Sequence, residues 1–178
     1  MNSSDPFDLL LDLENRTLKA SASLPTLDHV EQEWVGIGFR IGDSRLIADM
    51  SDIKEILDLP DFTEVPGVKS WIVGVANVRG NLLPIMDMKG YLLGDDIKQR
   101  HKGRVIVIDY KGFDTGLVVE EVYGMRHFRE GEATQDIPQV HEKISPFVQR
   151  AYKQDEEHWP VFSFAEMTGE ERFAHASI

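Results

Sequence analysis

The 178 residues carry 31 acidic and 19 basic side chains, a formal net charge of −12 and a sequence pI ≈ 4.9. Residues 1–33 hold seven acids and two bases, 34–90 eight and six, and 91–178 sixteen and eleven, so no block has the basic excess that nucleic acid or an anionic membrane surface attracts. Cysteine is absent, which excludes disulfides, thiolate metal sites and cysteine nucleophiles and suits a reducing compartment.

Along the chain, residues 1–33 read as an acidic extension. Asp5-Pro6 supplies a cap and a first-turn proline, and Phe7, Leu10, Leu11 and Leu18 fall near one face of a short helix. A linker with Pro25 follows. The Leu9-Leu10-Leu11 run is cut by Asp12 and nothing approaches the ~20 apolar residues of a spanning helix, so a cytoplasmic protein without membrane insertion is expected.

From Trp34 the hydrophobic period shortens to two. Residues 34–41 predict a strand, Gly42-Asp43-Ser44 a tight turn, and residues 45–48 the returning strand. Ser51 or Asp52 is placed to cap a brief turn before the apolar segment Ile53, Ile56, Leu57 and Leu59, which Pro60 ends. Pro66-Gly67 marks a turn, and residues 68–73 predict one helical turn bearing Trp71 and Ile72.

Two dense runs follow, 73–79 and 82–86, with Gly80-Asn81 between them as a two-residue hairpin turn. Pro84 lacks an amide donor, so its strand is expected at an edge or beside a bulge. Residues 94–103 are a polar connector. Residues 104–110 predict the clearest strand, Lys111-Gly112 a turn, 113–122 the return and 124–128 one strand more. Residues 153–157 predict a solvated turn, 159–164 a last strand, and Thr168-Gly169-Glu170-Glu171 a terminal helical turn. Short strands at this spacing indicate an all-β barrel or sandwich.

Catalytic chemistry finds little support. Six histidines lack the setting of a nucleophile elbow or a metal pair, and only His127 lies in an apolar strand. A small β-barrel enzyme or ligand-binding domain using His127 and carboxylates is the alternative reading. Glu120 and Glu121, adjacent on a strand, are expected on opposite faces. Gly36-Ile37-Gly38 lacks the third glycine and the helix of a dinucleotide loop. Neither a cofactor nor a metal is expected.

Residues 73–87 resist a purely structural reading. Arg79 has the placement of a snorkelling rim residue and Asn77 that of a local hydrogen-bonder. Together beside a glycine hairpin they also have the chemistry to present planar donors to a partner carboxylate.

This segment resembles the signature of the CheW-like family, G-V-x-N-x-R-G-x-x-x-P-I-x-D. Gly74, Val75, Asn77, Arg79, Gly80, Pro84, Ile85 and Asp87 fill every fixed place. Residues 34–47, 53–56, 66–72 and 104–122 are similar to flanking parts of the family, and the likeness covers about 34–168, leaving 169–178 as a tail. Val78 replaces the family's usual Leu before Arg.

The resemblance implies two small SH3-like five-stranded β-barrels packed together, without a catalytic site. It implies an adaptor between a methyl-accepting chemoreceptor, met in the groove between the barrels, and the regulatory domain of a CheA-like histidine kinase. By motif position it places Arg79, Asn77, Gly80, Gly74, Ile53, Glu55 and Gly116 at or near partner contacts. Ile53 is equally suited to the core. The acidic extension, with Trp34 and Trp71, is more similar to PilI-type adaptors of type IV pilus (twitching) pathways than to the flagellar-type coupling proteins.

Overall fold

The computed structural model describes residues 33–95, 97, 102–154 and 156–175; the helix and linker expected within 1–33 lie outside these, apart from Glu33. The opening run forms β1 (Glu33–Ile41), then β2 (Ser44–Asp49) and a 3₁₀ turn, Met50–Asp52. That turn is capped by Asp49, which accepts from the Ser51 amide at 2.8 Å, so the cap lies earlier than the Ser51 or Asp52 the sequence suggested. β3 (Ile53–Asp58) and β4 (Phe62–Thr63) follow.

Residues 68–73 make a turn and not a helix. The Ile72 amide donates to Lys69 at 2.9 Å and pairing with Met86 takes Ile72 into β5 (Ile72–Val78). β6 (Asn81–Asp87) and α1 (Met88–Leu93) complete the signature region, and β7 (Arg104–Tyr110) and β8 (Phe113–Val119) form the next hairpin. β9 (Glu121–Arg129), β10 (Ala133–Thr134), β11 (Val148–Gln154) and β12 (Glu157–Phe162) are followed by α2 (Phe164–Gly169) and α3 (Glu171–Ala174).

Among the described residues the strands form two sheets, ordered β10-β11-β12-β2-β1-β9 and β3-β7-β8-β6-β5-β4. Each has six strands where five were expected; the two-residue strands β4 and β10, too short to carry a sequence signal, are members of these sheets. Pairing between β6 and β8 begins at Ile85, so at Pro84 the strand has its ladder neighbour on one side only. That is the local edge its missing amide requires.

Burial on both faces explains the unbroken apolar runs. In the second sheet Val105, Val107 and Val118 turn to one core with Leu83 and Ile85, while Ile106, Ile108, Leu117 and Val119 turn to another. This second core is shared: Phe39, Ile41, Leu46 and Phe162 enter it from the first sheet, as do Phe164, Met167 and Phe173 from the last helices. Phe173, beyond the expected boundary at 168, is buried against Tyr91 and Tyr110.

The outer face of the first sheet carries Phe128, Tyr152 and Trp159 with Trp34, whose ring stacks on Tyr152 at 4.5 Å. Gly36 and Gly38 leave room for these rings. A Cβ at Gly36 would meet the Trp34 ring at 2.6 Å, and one at Gly38 would meet Trp159 at 3.0 Å.

α1 was not foreseen, although its signals are local. Asp87, with no exposed surface, caps it by accepting from Gly90 at 2.9 Å, and Gly94 ends it at φ 79°. The other Asp87 oxygen accepts from the Ile97 amide at 2.9 Å, fastening the connector to the second sheet's core. No helix among the described residues is long and apolar enough to cross a membrane.

Gly74 sits at φ 155° where the β5–β6 register shifts, and a Cβ there would meet the Phe62 ring at 2.9 Å and the Thr63 carbonyl more closely still. Gly74→Ala is therefore expected to cost about 2–3 kcal/mol by urea denaturation. Burial, reinforced by the hydrogen bond that Tyr91 donates to Glu170 at 2.7 Å, pushes the Tyr91 phenol well above its ordinary value. Its contribution to stability is complete below about pH 10 and lost as pH rises further, because the unfolded phenol ionises first. Tyr91→Phe is expected to flatten that alkaline loss in urea midpoints measured across pH.

Candidate protein-binding site

Most of the signature is architecture. Gly74 is buried against β4, Ile85 has no exposed surface, Pro84 occupies the local edge, and Asp87 caps α1. What remains at the surface is the β5–β6 turn, and the structure moves it by one residue. Val78 pairs with Asn81, so Arg79-Gly80 form the two-residue loop in place of Gly80-Asn81. Both have positive φ, 52° and 87°, the pattern of a type I′ turn. The backbone twist of paired strands selects that geometry, and it is unusual for an arginine.

Asn77 makes the turn possible. Its Oδ1 accepts from the Gly80 amide at 2.9 Å, so the carbonyl end is spent locally. Of the two readings of Asn77, local hydrogen bonding is what the turn uses. Arg79 projects outward with 75% of its side chain exposed, and its Nη2 lies 3.1 Å from Glu55 Oε2. The second sheet curls enough for the β5–β6 tip to reach β3 at the sheet's other edge. Glu55 pairs with Val107, on the face that also carries Leu57, so the ion pair lies at the rim of the outer core.

Arg79, Asn77, Gly80 and Glu55 thus come together, and the other sequence candidates stand apart from them. Ile53 pairs with Ile108 and packs, half-buried, on the shared core. Gly116 is inside: a Cβ there would meet Ile85 and Val105, each at 2.8 Å. Gly74 and Gly116 are both buried, and their place in the fold is to let strands and side chains close up. Leu82, 74% exposed beside the tip, was not singled out from the sequence. Its dense apolar run hid it, because outward and inward positions there are equally hydrophobic.

Two further expectations change. Glu120 and Glu121 were assigned to opposite faces, yet both reach Arg40, at 3.5 and 3.3 Å. The strand breaks at Glu120, whose amide donates to the Arg40 carbonyl at 3.2 Å, and the break turns its side chain back toward β1. The same break ends at Val119 the strand expected to run to residue 122, and the following strand, expected over 124–128, starts at Glu121.

His127 lies on β9, the outermost strand of the first sheet, with 52% of its side chain exposed and Nδ1 3.0 Å from Glu33. It does not line the clefts around Lys54, Arg40 and Tyr91. Its exposure on an edge strand does not fit the closed pocket that the alternative reading requires around it. Among the described residues no cluster of three or more His, Asp or Glu is arranged to hold a metal ion.

Because Asn77 acts on an exposed turn, Asn77→Ala is expected to cost only about 1 kcal/mol in urea denaturation. Amide exchange should quicken at Gly80 and its neighbours, while β7 and β8 keep their protection.

Comparison with known proteins identifies the family. The CheW-like domain family matches residues 35–172. Over 158 residues the chain is 40% identical to Protein PilI of Pseudomonas aeruginosa, covering 89% of this chain and 88% of that protein. It is 26% identical over 121 residues to the chemotaxis protein CheW of Thermotoga maritima, covering 68% of this chain and 78% of that one. The crystal structure of the scaffolding protein TtCheW from Thermoanaerobacter tengcongensis superposes with a TM-score of 0.66 at 20% identity, over 79% of this chain and 95% of its own, which shows the shared fold. With a family match across most of its length and an exposed hairpin tip built from the family's own signature, this chain belongs to the CheW-like family.

Proposed function

We propose that the protein is a non-catalytic adaptor that couples a methyl-accepting chemoreceptor to the regulatory domain of a CheA-like histidine kinase. The observation that carries this reading is the division of the signature: its buried members fix a hairpin whose tip, Arg79 over Glu55, stands in solvent. A planar guanidinium held by one carboxylate keeps donors for a second, which suits a partner contact selected by geometry. Such contacts draw affinity from a few anchors and not from total area.

The 40% identity to Protein PilI supports assigning the adaptor to a type IV pilus, twitching-motility pathway in preference to a flagellar one. In this reading it works in the cytoplasm, reaching receptor arrays through its partners, with the groove between the lobes facing the receptor. Ile53 and Gly74 then act by shaping the contact surface, and Gly116 by holding the strands beneath it.

An exposed ion pair contributes at most about 1 kcal/mol, so Arg79→Glu is expected to leave the fold and the thermal midpoint nearly unchanged. The same change places two acids where the pair stood, and retention of receptor and kinase together in a pull-down should fall at least about tenfold. A folded Arg79→Glu protein that assembles the ternary complex normally would sink the reading. Co-purification of the native chain from cells, with neither a receptor nor a multidomain histidine kinase retained, would sink it equally.

A further inference from the structure

The β7–β8 hairpin repeats the design of the signature tip. Asp109 stands where Asn77 stands, its Oδ1 accepting from the Gly112 amide at 2.9 Å. Lys111 and Gly112 hold φ of 53° and 84°, against 52° and 87° at Arg79 and Gly80. The charged partner again comes from β3: Lys54, next to Glu55, bridges Asp109 and Asp114. A large apolar side chain stands past each turn, Phe113 immediately after the second and Leu82 one residue further along in the first, both 74% exposed.

The two tips differ in what lies beside them. Phe113 is directly opposite Tyr110, so it leaves the same face of the sheet. Tyr110 and Ile108 on that face, with Phe164 and Ala165 of α2, wall a cleft of about 430 Å³. The charged residues lining it are balanced, Lys54 and Lys111 against Asp52 and Asp109, with Asp114 held by Lys54 just outside, in a chain of net charge −12.

Knob and hole therefore share one patch. A strongly acidic or basic partner gains little from a rim of two positive and two negative charges. A second copy turned by a two-fold axis sets lysines against aspartates and each aromatic ring against the other's cleft. The geometry points to a self-association surface: two copies of this chain pair isologously, each Phe113 entering the cleft of the other between Tyr110 and α2. Salt screens the lysine–aspartate contacts and also the repulsion between two chains of net charge −12; the repulsion is the larger effect, so added salt strengthens the pair. This contact does not use the Arg79 tip and stands or falls apart from the coupling reading.

Sedimentation velocity over a concentration series is expected to show a reversible monomer–dimer equilibrium that shifts toward dimer with added salt. Phe113→Asp should weaken it at least about 30-fold, the loss of a buried aromatic anchor, with an unchanged far-UV circular dichroism spectrum. Leu82→Asp, made at the equally exposed side chain of the other tip, should leave it as strong. Since the chain has no cysteine, Phe113→Cys and Ala165→Cys variants mixed and oxidised should give a cross-linked pair. A monomer at every concentration and salt overturns the inference. So does a dimer that Phe113→Asp leaves intact, one that Leu82→Asp breaks, or mixed cysteine variants that fail to cross-link.

Discussion

The core shared by the two sheets is the constraint on which the rest depends. Phe39, Ile41 and Leu46 from the first sheet meet Ile106, Leu117 and Val119 from the second, and all are almost fully buried. Because each sheet also covers a cluster on its other face, the central strands have no solvent side. Hydrophobic burial then fixes strand order and register together, since a one-residue slip would exchange the residues of two different cores. Aromatic rings fill the middle, with Phe39 stacked on Phe164 at 5.8 Å and edge-on to Phe162 at 6.0 Å. A frame held this way lets hairpin tips protrude without being needed for stability.

The proposed partner contact falls on those tips. The signature of the family divides into residues that cannot change without moving strands and residues that can. Gly74, Ile85 and Asp87 are of the first kind: a close backbone approach, a filled core site, and a buried carboxylate holding two amides. Arg79 and Asn77 are of the second, and the Glu55 that meets Arg79 comes from a strand some two dozen positions earlier in the sequence. That juxtaposition is a product of sheet curvature, because β3 and the β5–β6 tip belong to strands separated by β7 and β8.

How much of this was legible varies with the range of the interaction. The strand at Arg104–Tyr110 and the turn at Lys111-Gly112 follow from an alternating Val-Ile run ending in a glycine turn. The turn at the signature was placed one residue late because Gly80-Asn81 is the better type I′ pair by propensity. Register with Ile85 and the Asn77 hydrogen bond decided for Arg79-Gly80. The expected helical turn at Trp71 lost to β-pairing in the same way. Glu120 shows the limit of period-two reasoning, since alternation holds only while the strand is continuous.

The sequence by itself determined an all-β molecule without cysteine chemistry, and a family signature with every fixed residue in place, because strand patterning, turn residues and motif spacing are local properties. Only the tertiary structure decided which signature residues are buried, that Glu55 partners Arg79, and that the Phe113 tip stands beside a cleft. Each of these is a meeting of positions distant in the chain, set by how two sheets curl over a common core, and no local pattern of residues encodes that curvature.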